Sequence, residues 1–221
     1  MQLLPFYMVC DESGSMGGEP INAINSALPE LYDEISSNPT VSDKTRFCLI
    51  GFSSEARVLQ PLADISELTG LPALQVSGLT HFGHAFETLR LTMEADVARL
   101  KAEGHQVYRP VVFFLSDGVP TDSWAQEYAA LTGPAAGIRP HIVAFGIGDC
   151  DRATITQVAT FKAFIQEDAS VSPAAALREF ATALTKSIVR SVNGMAPGGQ
   201  GPNLQVADTV PGFTSIPLDT V

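Results

Sequence analysis

Near-continuous apolar runs are the feature that most constrains the fold of this chain. Four of them are LPFYMVC (4–10), TRFCLIGF (45–52), RPVVFFLS (109–116) and RPHIVAFGIG (139–148), and a weaker run is KAFIQ (162–166). Strands that are buried on both faces of a parallel sheet lose the alternation of apolar and polar residues that marks a half-exposed strand. The runs therefore predict neighbouring strands of a buried parallel sheet.

The segments between these runs have the spacing of amphipathic helices. Helices are predicted over 20–36, 83–103, 123–131 and 173–190. Pro29 predicts a kink in the first of them, because proline removes a backbone donor from the helix interior. Ser123 and Gln126 are spaced as a capping box for the third. A short helix is also expected after Asp151.

Alternation of strands and helices favours a doubly wound α/β fold. Only SSE separates the run 45–52 from ARVLQPL (56–62), so this pair is predicted to be a hairpin with an antiparallel edge strand. The prediction is a mostly parallel six-stranded sheet with one antiparallel edge strand and helices on both faces. One domain is expected over 1–192, then a Gly/Pro linker over 193–203 and a tail over 204–221.

Oxygen-bearing side chains follow the first strand at alternate positions, in CDESGSMGG: Asp11, Ser13 and Ser15. Thr80 in SGLTHFGHA and Asp117 in LSDGVPTD add a hydroxyl and a carboxylate. Ligands of open α/β sheets bind at the carboxyl ends of the strands, so we expect these groups to meet there. The ligand could be a metal, a phosphate or a carbonyl. Hard oxygen donors without histidine or cysteine at ligand spacing favour Mg²⁺ or Mn²⁺ over zinc.

Each of these residues also has a structural interpretation. Aspartate, serine and glycine are common in helix-capping turns, and Asp117 could be a simple turn residue. Asp122 is expected to cap the helix that begins at 123. His81 and His84 have the spacing of a zinc pair, but no third soft ligand has suitable spacing, so surface histidines are the favoured interpretation.

Three segments in the same order resemble the metal-ion-dependent adhesion site of von Willebrand factor type A domains: DESGSMGGEPI, the threonine of SGLTHFGHA, and FFLSDGVPTD. Within that family, LPFYMVCDESGSMGGEPINAIN and RPVVFFLSDGVPTD are similar to bacterial tellurite-resistance TerY-like proteins. The resemblance implies a Rossmann-like sheet. It also implies that Ser13, Ser15 and Thr80 bind the ion through hydroxyls, and that Asp11 and Asp117 bind it directly or through water.

The resemblance further implies a metal-dependent protein-interaction module rather than an enzyme. Its ion would take an Asp or Glu carboxylate from a partner protein, and an intracellular scaffold in a stress or tellurite-resistance system is expected. The partner-binding rim is predicted to consist of Glu12, Glu19, His81, Phe82 and Val119. Two alternatives stay open: a metal-dependent hydrolase or phosphatase, although no nucleophile elbow or P-loop is present, and a structural scaffold whose metal site is silent.

The composition of the chain limits the classes of partner that we expect it to bind. A net charge of −11 and a sequence pI near 4.6 disfavour nucleic acid and anionic membranes. No signal-peptide pattern precedes Asp11 and no apolar run reaches the ~18 residues of a membrane span, so a cytoplasmic location is expected. Cys10, Cys48 and Cys150 are an odd number of cysteines and do not suggest a disulfide framework. The oligomeric state is left open.

Overall fold

The computed structural model of the chain describes residues 1–37, 39–117, 119–148 and 150–166, together with 186, 209 and 213–216. Apart from Lys186, the predicted helix over 173–190 lies outside the described residues, and so does the predicted linker over 193–203.

The described part of the chain alternates between strands and helices. The strands are β1 (Gln2–Asp11), β2 (Thr45–Phe52), β3 (Ala56–Asp64), β4 (Gln106–Val107), β5 (Val111–Ser116), β6 (His141–Gly146), β7 (Lys162–Gln166) and β8 (Phe213–Ile216). The helices are α1 (Glu19–Ser36), α2 (Pro39–Ser42), α3 (Phe82–Ala102), α4 (Ala125–Thr132) and α5 (Arg152–Val158).

The strands form one mostly parallel sheet in the order β3-β2-β1-β5-β6-β7-β8, and β4 pairs with β1. The predicted fold class is confirmed, and all six predicted strands form. The predicted number of strands was too low. β4 was missed because it has only two residues, and β8 was missed because it lies in the predicted tail. The predicted antiparallel edge is confirmed, because β3 is antiparallel to β2, and a second one was not predicted: β8 is antiparallel to β7 at the other edge.

The pairing of β1 with β5 determines where the functional residues meet. These strands are parallel neighbours, with Cys10 opposite Leu115. Asp11 and Ser116, the last residues of β1 and β5, therefore lie at the same edge of the sheet. The chain leaves β1 toward β2 on one side and leaves β5 toward β6 on the other, so the strand order reverses between β1 and β5. A crevice at such a reversal is where α/β sheets bind ligands.

Helices cover both faces of this sheet. Phe6 and Met8 of β1 pack in one apolar cluster, together with Ile24 of α1. Tyr7 and Val9 of β1 pack in the other cluster, which includes much of α3. Since both faces are buried, each large side chain of β1 is removed from water, and full burial of one such side chain contributes roughly 1.5–3 kcal/mol. This burial explains why the strand sequences are continuous apolar runs.

The helix ends differ in part from the predictions. α1 runs from Glu19 to Ser36 with Pro29 inside it, and the kink expected at this residue stays a prediction. The capping box predicted at Ser123 does not form, because the N-cap of α4 is Trp124 and makes no side-chain capping hydrogen bond. The short helix expected after Asp151 is α5, and the Asp151 carboxylate accepts a hydrogen bond from Ala153 N at 3.1 Å.

The predictions about disulfides and membrane spans can be compared with the described residues. Cys10, Cys48 and Cys150 are free thiols, of which the first two are buried and the third is partly buried. The described helices include none with the length and apolar character that crossing a membrane requires.

Candidate functional site

Four of the five predicted metal ligands form one hydrogen-bonded chain at the carboxyl edge of the sheet. Ser13 N donates to Asp11 Oδ1 at 2.8 Å. Ser15 Oγ donates to Asp117 Oδ1 at 2.9 Å, and the hydroxyls of Ser13 and Ser15 are 3.1 Å apart. A hydroxyl has one proton, and Ser15 uses its proton on Asp117, so Ser13 must be the donor to Ser15. The two carboxylates are thereby linked through the two serines.

Asp11 is the most deeply buried member of this group. Its side chain is fully buried, and its second oxygen, Oδ2, accepts a hydrogen bond from Ser116 Oγ at 2.6 Å. Ser116 was not predicted as a functional residue. Its position just before Asp117 on a strand parallel to β1 could have indicated it, because the register places Ser116 beside the end of β1. Ser116 and Ser13 together orient the carboxylate of Asp11.

Thr80, the fifth predicted ligand, lies in a loop that is bonded to both neighbouring segments. Gly14 N donates to Gly78 O at 3.1 Å, which connects the loop to the turn after β1. On the other side, Thr80 O accepts hydrogen bonds from Thr121 N at 2.8 Å and from Thr121 Oγ1 at 3.1 Å. Thr80 itself is buried. Within the described ranges, no hydrogen bond joins its hydroxyl to the other four side chains, so only its backbone is tied to the site.

Asp122 holds the start of α3 next to this loop. Its Oδ1 accepts from Phe82 N at 2.9 Å and its Oδ2 from Gly83 N at 2.8 Å. The prediction that Asp122 caps the helix from 123 was wrong: it caps α3 from a distant segment, where the N-cap residue His81 makes no side-chain capping bond. A Cβ atom at residue 83 would lie 2.7 Å from Asp122 Oδ2, so a larger residue there would displace this carboxylate from its capping position.

The electrostatics of the site favour a bound cation. Burial raises the pKa of Asp11 to about 6; the hydrogen bonds from Ser116 and Ser13 oppose this shift, and the charge of Asp117 adds to it. Burial likewise raises the pKa of Asp117, while the bond from Ser15 opposes the shift. A nearby cation would stabilise both carboxylates in their charged form.

The donor set also fits a hard divalent cation. It consists of carboxylate and hydroxyl oxygens, the ligand types that Mg²⁺ and Mn²⁺ prefer. No cluster of three or more His, Cys, Asp or Glu side chains that could hold a metal occurs among the described residues.

Two residues of the predicted rim are buried instead, and this part of the prediction was wrong. Glu12 is only 1% exposed: its carboxylate accepts from Gln75 N at 2.6 Å and pairs with Arg57 at 3.3 Å. Phe82 is fully buried, and its ring packs against Phe114 with centroids 4.9 Å apart. Neither side chain can contact a partner, because each faces the protein interior.

The exposed surroundings of the site are more apolar than expected. Glu19 is exposed, Val119 is 57% exposed, and His81 is half-buried with its Nδ1 3.0 Å from Ser54 O. Leu79, directly before Thr80, is also 57% exposed and was missed by the sequence analysis. A large apolar side chain between a glycine and a candidate ligand was the available signal.

A sequence profile identifies the family. The profile of the von Willebrand factor type A domain matches residues 6–202. This is most of the chain, and the chain therefore belongs to the von Willebrand factor type A domain family. Domains of this family generally mediate protein–protein interactions, in some cases through a metal bound at the adhesion site. No curated protein sequence matches the chain significantly.

Solved structures with the same fold come from diverse sources. A von Willebrand factor type A protein from Catenulispora acidiphila superposes with a TM-score of 0.62 at 15% identity, over 86% of this chain and 43% of that one. Proximal thread matrix protein 1 from the mussel byssus, with a zinc-occupied adhesion site motif, gives 0.58 at 17% identity, over 85% and 48%. The pilus adhesin SpaC from Lactobacillus rhamnosus GG gives 0.61 at 14% identity, over 86% and 30%.

At these identities the similarity shows the fold alone. The present chain spans less than half the length of each of these proteins.

Proposed function

We propose that this domain is a metal-dependent protein-binding module. Its site would hold one divalent cation through Asp11, Ser13, Ser15, Thr80 and Asp117. When bound, the cation supplies an electrophilic centre that a carboxylate of a partner protein can coordinate. The observation that carries the proposal is the hydrogen-bonded chain from Asp11 to Asp117, which joins four of the proposed ligands where the strand order reverses.

Mg²⁺ or Mn²⁺ is the proposed ion. All five side chains offer oxygen, and hard cations select such ligands, whereas zinc in proteins is usually bound by Cys or His. The mussel byssus protein has zinc at its adhesion site motif. In the present chain, the oxygen donors favour a harder ion, and the buried carboxylate of Asp11 favours a divalent charge that offsets its desolvation.

Residues around the ligands have positioning roles in this proposal. Ser116 holds Asp11 through Oδ2, so that Oδ1 faces Ser13. Thr121 holds the backbone of Thr80 through two hydrogen bonds. These contacts are made by neutral groups, so they orient the ligands without neutralising the charge that would attract a cation.

The partner is proposed to offer a single exposed Asp or Glu within a neutral or basic surface. The chain carries a net charge of −11, which repels a partner that is acidic beyond the coordinating residue. Leu79 and Val119 are exposed beside the ligand loops and can pack against apolar side chains that flank the carboxylate. Glu19 and His81 complete the proposed rim. Nucleic acid and membranes are not proposed as partners.

A role as an intracellular scaffold in a stress or tellurite-resistance system is also proposed. The support for this role is the similarity of residues 4–25 and 109–122 to TerY-like proteins, and nothing in the geometry bears on it. The domain boundary at residue 192 stays a proposal from the Gly/Pro composition of 193–203, since the segment around it lies outside the described residues.

The test is calorimetric titration of Mg²⁺ and Mn²⁺ into the chain, followed by capture of partners with and without EDTA. The expected result is saturable binding that disappears when Ser13→Ala and Ser15→Ala are combined, with capture lost in EDTA. Metal binding without any metal-dependent partner would favour the silent scaffold. Turnover of generic phosphatase or esterase substrates that is lost with Asp11→Ala would favour the enzyme.

A further inference from the structure

A cavity with basic walls lies at the opposite edge of the sheet from the candidate metal site. Its volume is about 350 Å³, and its walls include Lys101, Arg109 and Arg139. We refer to it as the basic cavity. It lies at the carboxyl end of α3 and beside the amino ends of β5 and β6. Because parallel strands have all their carboxyl ends at one edge, the basic cavity and the metal site are on opposite sides of the domain.

The three cations of the basic cavity have no acidic partner among the described residues. In contrast, Arg46, Arg57, Arg90 and Arg99 each form an ion pair with an Asp or Glu. The chain has 24 acidic and 13 basic residues, so acidic partners are plentiful. The three cations are therefore gathered in one place without compensation from the protein.

The two arginines are held close together. Arg109 Nε donates a hydrogen bond to the backbone carbonyl of Arg139. This contact fixes the guanidinium of Arg109 beside the loop that carries Arg139 and leaves its terminal nitrogens without a protein acceptor in the described ranges. Partial burial, with a contribution from the charge of Arg139, lowers the pKa of Arg109. Both effects disfavour the charged form of Arg109 in the absence of an anion.

The helix dipole explains the position of only one of these three cations. Lys101 lies in the last turn of α3, where a positive charge is favourable beside the free carbonyls. Arg109 and Arg139 lie in the segments before β5 and β6 and are not part of a described helix. An external anion explains all three positions at once.

The remaining walls of the basic cavity include several apolar residues. Val97 and Pro110 are buried, and Ile138 is partly buried against the core. A bare inorganic anion would leave this surface unused. The volume falls in the range of small-molecule sites, roughly 300–1,000 Å³.

We propose that the basic cavity binds a small organic phosphate, a phosphate monoester with an apolar or aromatic body. Guanidinium groups match the oxygens of a phosphate through paired hydrogen bonds, and Lys101 adds a third positive charge. A phosphate monoester carries about −1.5 to −2 charges at pH 7, which balances this set better than one carboxylate does. The apolar body would contact Val97, Pro110 and Ile138.

Phenyl phosphate is the probe for this proposal, titrated into the full chain in EDTA and followed by calorimetry and by amide chemical shifts. EDTA removes any metal that could bind phosphate at the other edge, so the result does not depend on the proposed metal site. The expected result is saturable binding with shifts at Gly137 and Val107. Arg139→Gln or Arg109→Gln should each weaken binding about tenfold or more, the effect of losing a charge-assisted hydrogen bond. Arg152→Gln, which removes the same charge at the other edge, should change it less than about twofold.

Several outcomes would overturn the proposal. They are the absence of saturation up to roughly 10 mM probe, equal weakening by Arg152→Gln, and equally tight binding of phenol, inorganic phosphate or benzoate. If Arg139→Gln does not fold, Arg139→Lys keeps the charge and removes the paired hydrogen bonds. Unchanged affinity in that variant also contradicts the proposal.

Discussion

Ser15 donates a hydrogen bond to Asp117 across 2.9 Å, although 102 positions separate the two residues. The contact joins the turn after β1 to the loop after β5, and it exists because these strands are parallel neighbours. Ser15 is exposed, whereas Asp11, at the other end of the same chain of hydrogen bonds, is fully buried. The candidate site thus extends from the interior to the surface, where a partner could reach a bound cation.

The first prediction is that Asp117→Asn lowers Mg²⁺ affinity while leaving the fold intact. Asparagine keeps an oxygen that can accept from Ser15 but removes one of the two carboxylate charges. In the unaltered chain, Mg²⁺ at 100 times its Kd should stabilise the folded state by about 2.7 kcal/mol, and the variant should lose most of this gain. Melting temperatures at increasing Mg²⁺ measure both effects. A variant that is unfolded without metal would instead make Asp117 a structural residue.

The second prediction concerns Asp122, which caps α3 from outside the helix. Asp122→Ala removes the acceptors for Phe82 N and Gly83 N, and the loss should cost about 1–2 kcal/mol of unfolding free energy. Because Thr80 is two residues before this helix, Mg²⁺ affinity should fall as well. Asp151→Ala is the matched control, since it removes the cap of α5 and should reduce stability alone. Equal Mg²⁺ affinities in the two variants would show that the cap does not position Thr80.

The third prediction is that Glu12 stabilises the fold from the interior, whereas the exposed Glu19 does not. Glu12→Gln should reduce the free energy of unfolding by about 1–3 kcal/mol, because it weakens the buried contacts with Gln75 N and Arg57. Arg57→Gln should also destabilise the fold, because it leaves the buried carboxylate without its partner. Glu19→Gln, at an exposed position, should leave stability within about 0.5 kcal/mol. Urea denaturation of the three variants measures these changes in the free energy of unfolding.

The fourth prediction is a pH dependence of stability that originates at His141. Burial, with a contribution from the charge of Arg109, lowers the pKa of His141 from 6.5 to about 4. Between these values the unfolded chain binds a proton at His141 and the folded chain does not. This residue therefore contributes stability that is present above pH 6.5 and is lost as the pH falls toward 4. His141→Gln removes the contribution.

The measurement is the unfolding free energy of the chain and of His141→Gln between pH 4 and 7. The difference between the two proteins isolates His141 from Asp11, whose raised pKa acts in the opposite direction over part of this range. A pH-independent difference would contradict the prediction.

Local sequence patterns were sufficient to predict the central sheet and four of the side chains that meet at its carboxyl edge. The apolar runs of β1 and β5 are continuous because each strand is buried on both faces, and that burial is visible in any short window of sequence. The spacing of Asp11, Ser13 and Ser15 was equally visible, since oxygen donors at alternate positions after a buried strand require no knowledge of distant residues. These signals were local, and they correctly indicated the edge of the sheet where the groups meet.

Contacts between distant segments decided the rest. Glu12 lies between two candidate ligands, and glutamate is a residue type usually found at the surface. It is nevertheless buried, because Gln75 and Arg57 supply its partners. Asp122 precedes one helix and caps another, because the loop after β5 passes beside the start of α3. The cations of the basic cavity come from α3 and from the segments before β5 and β6, which only the packed sheet brings together. The physical reason is that periodicity reports which face of an element is buried, whereas register and packing determine what that face meets.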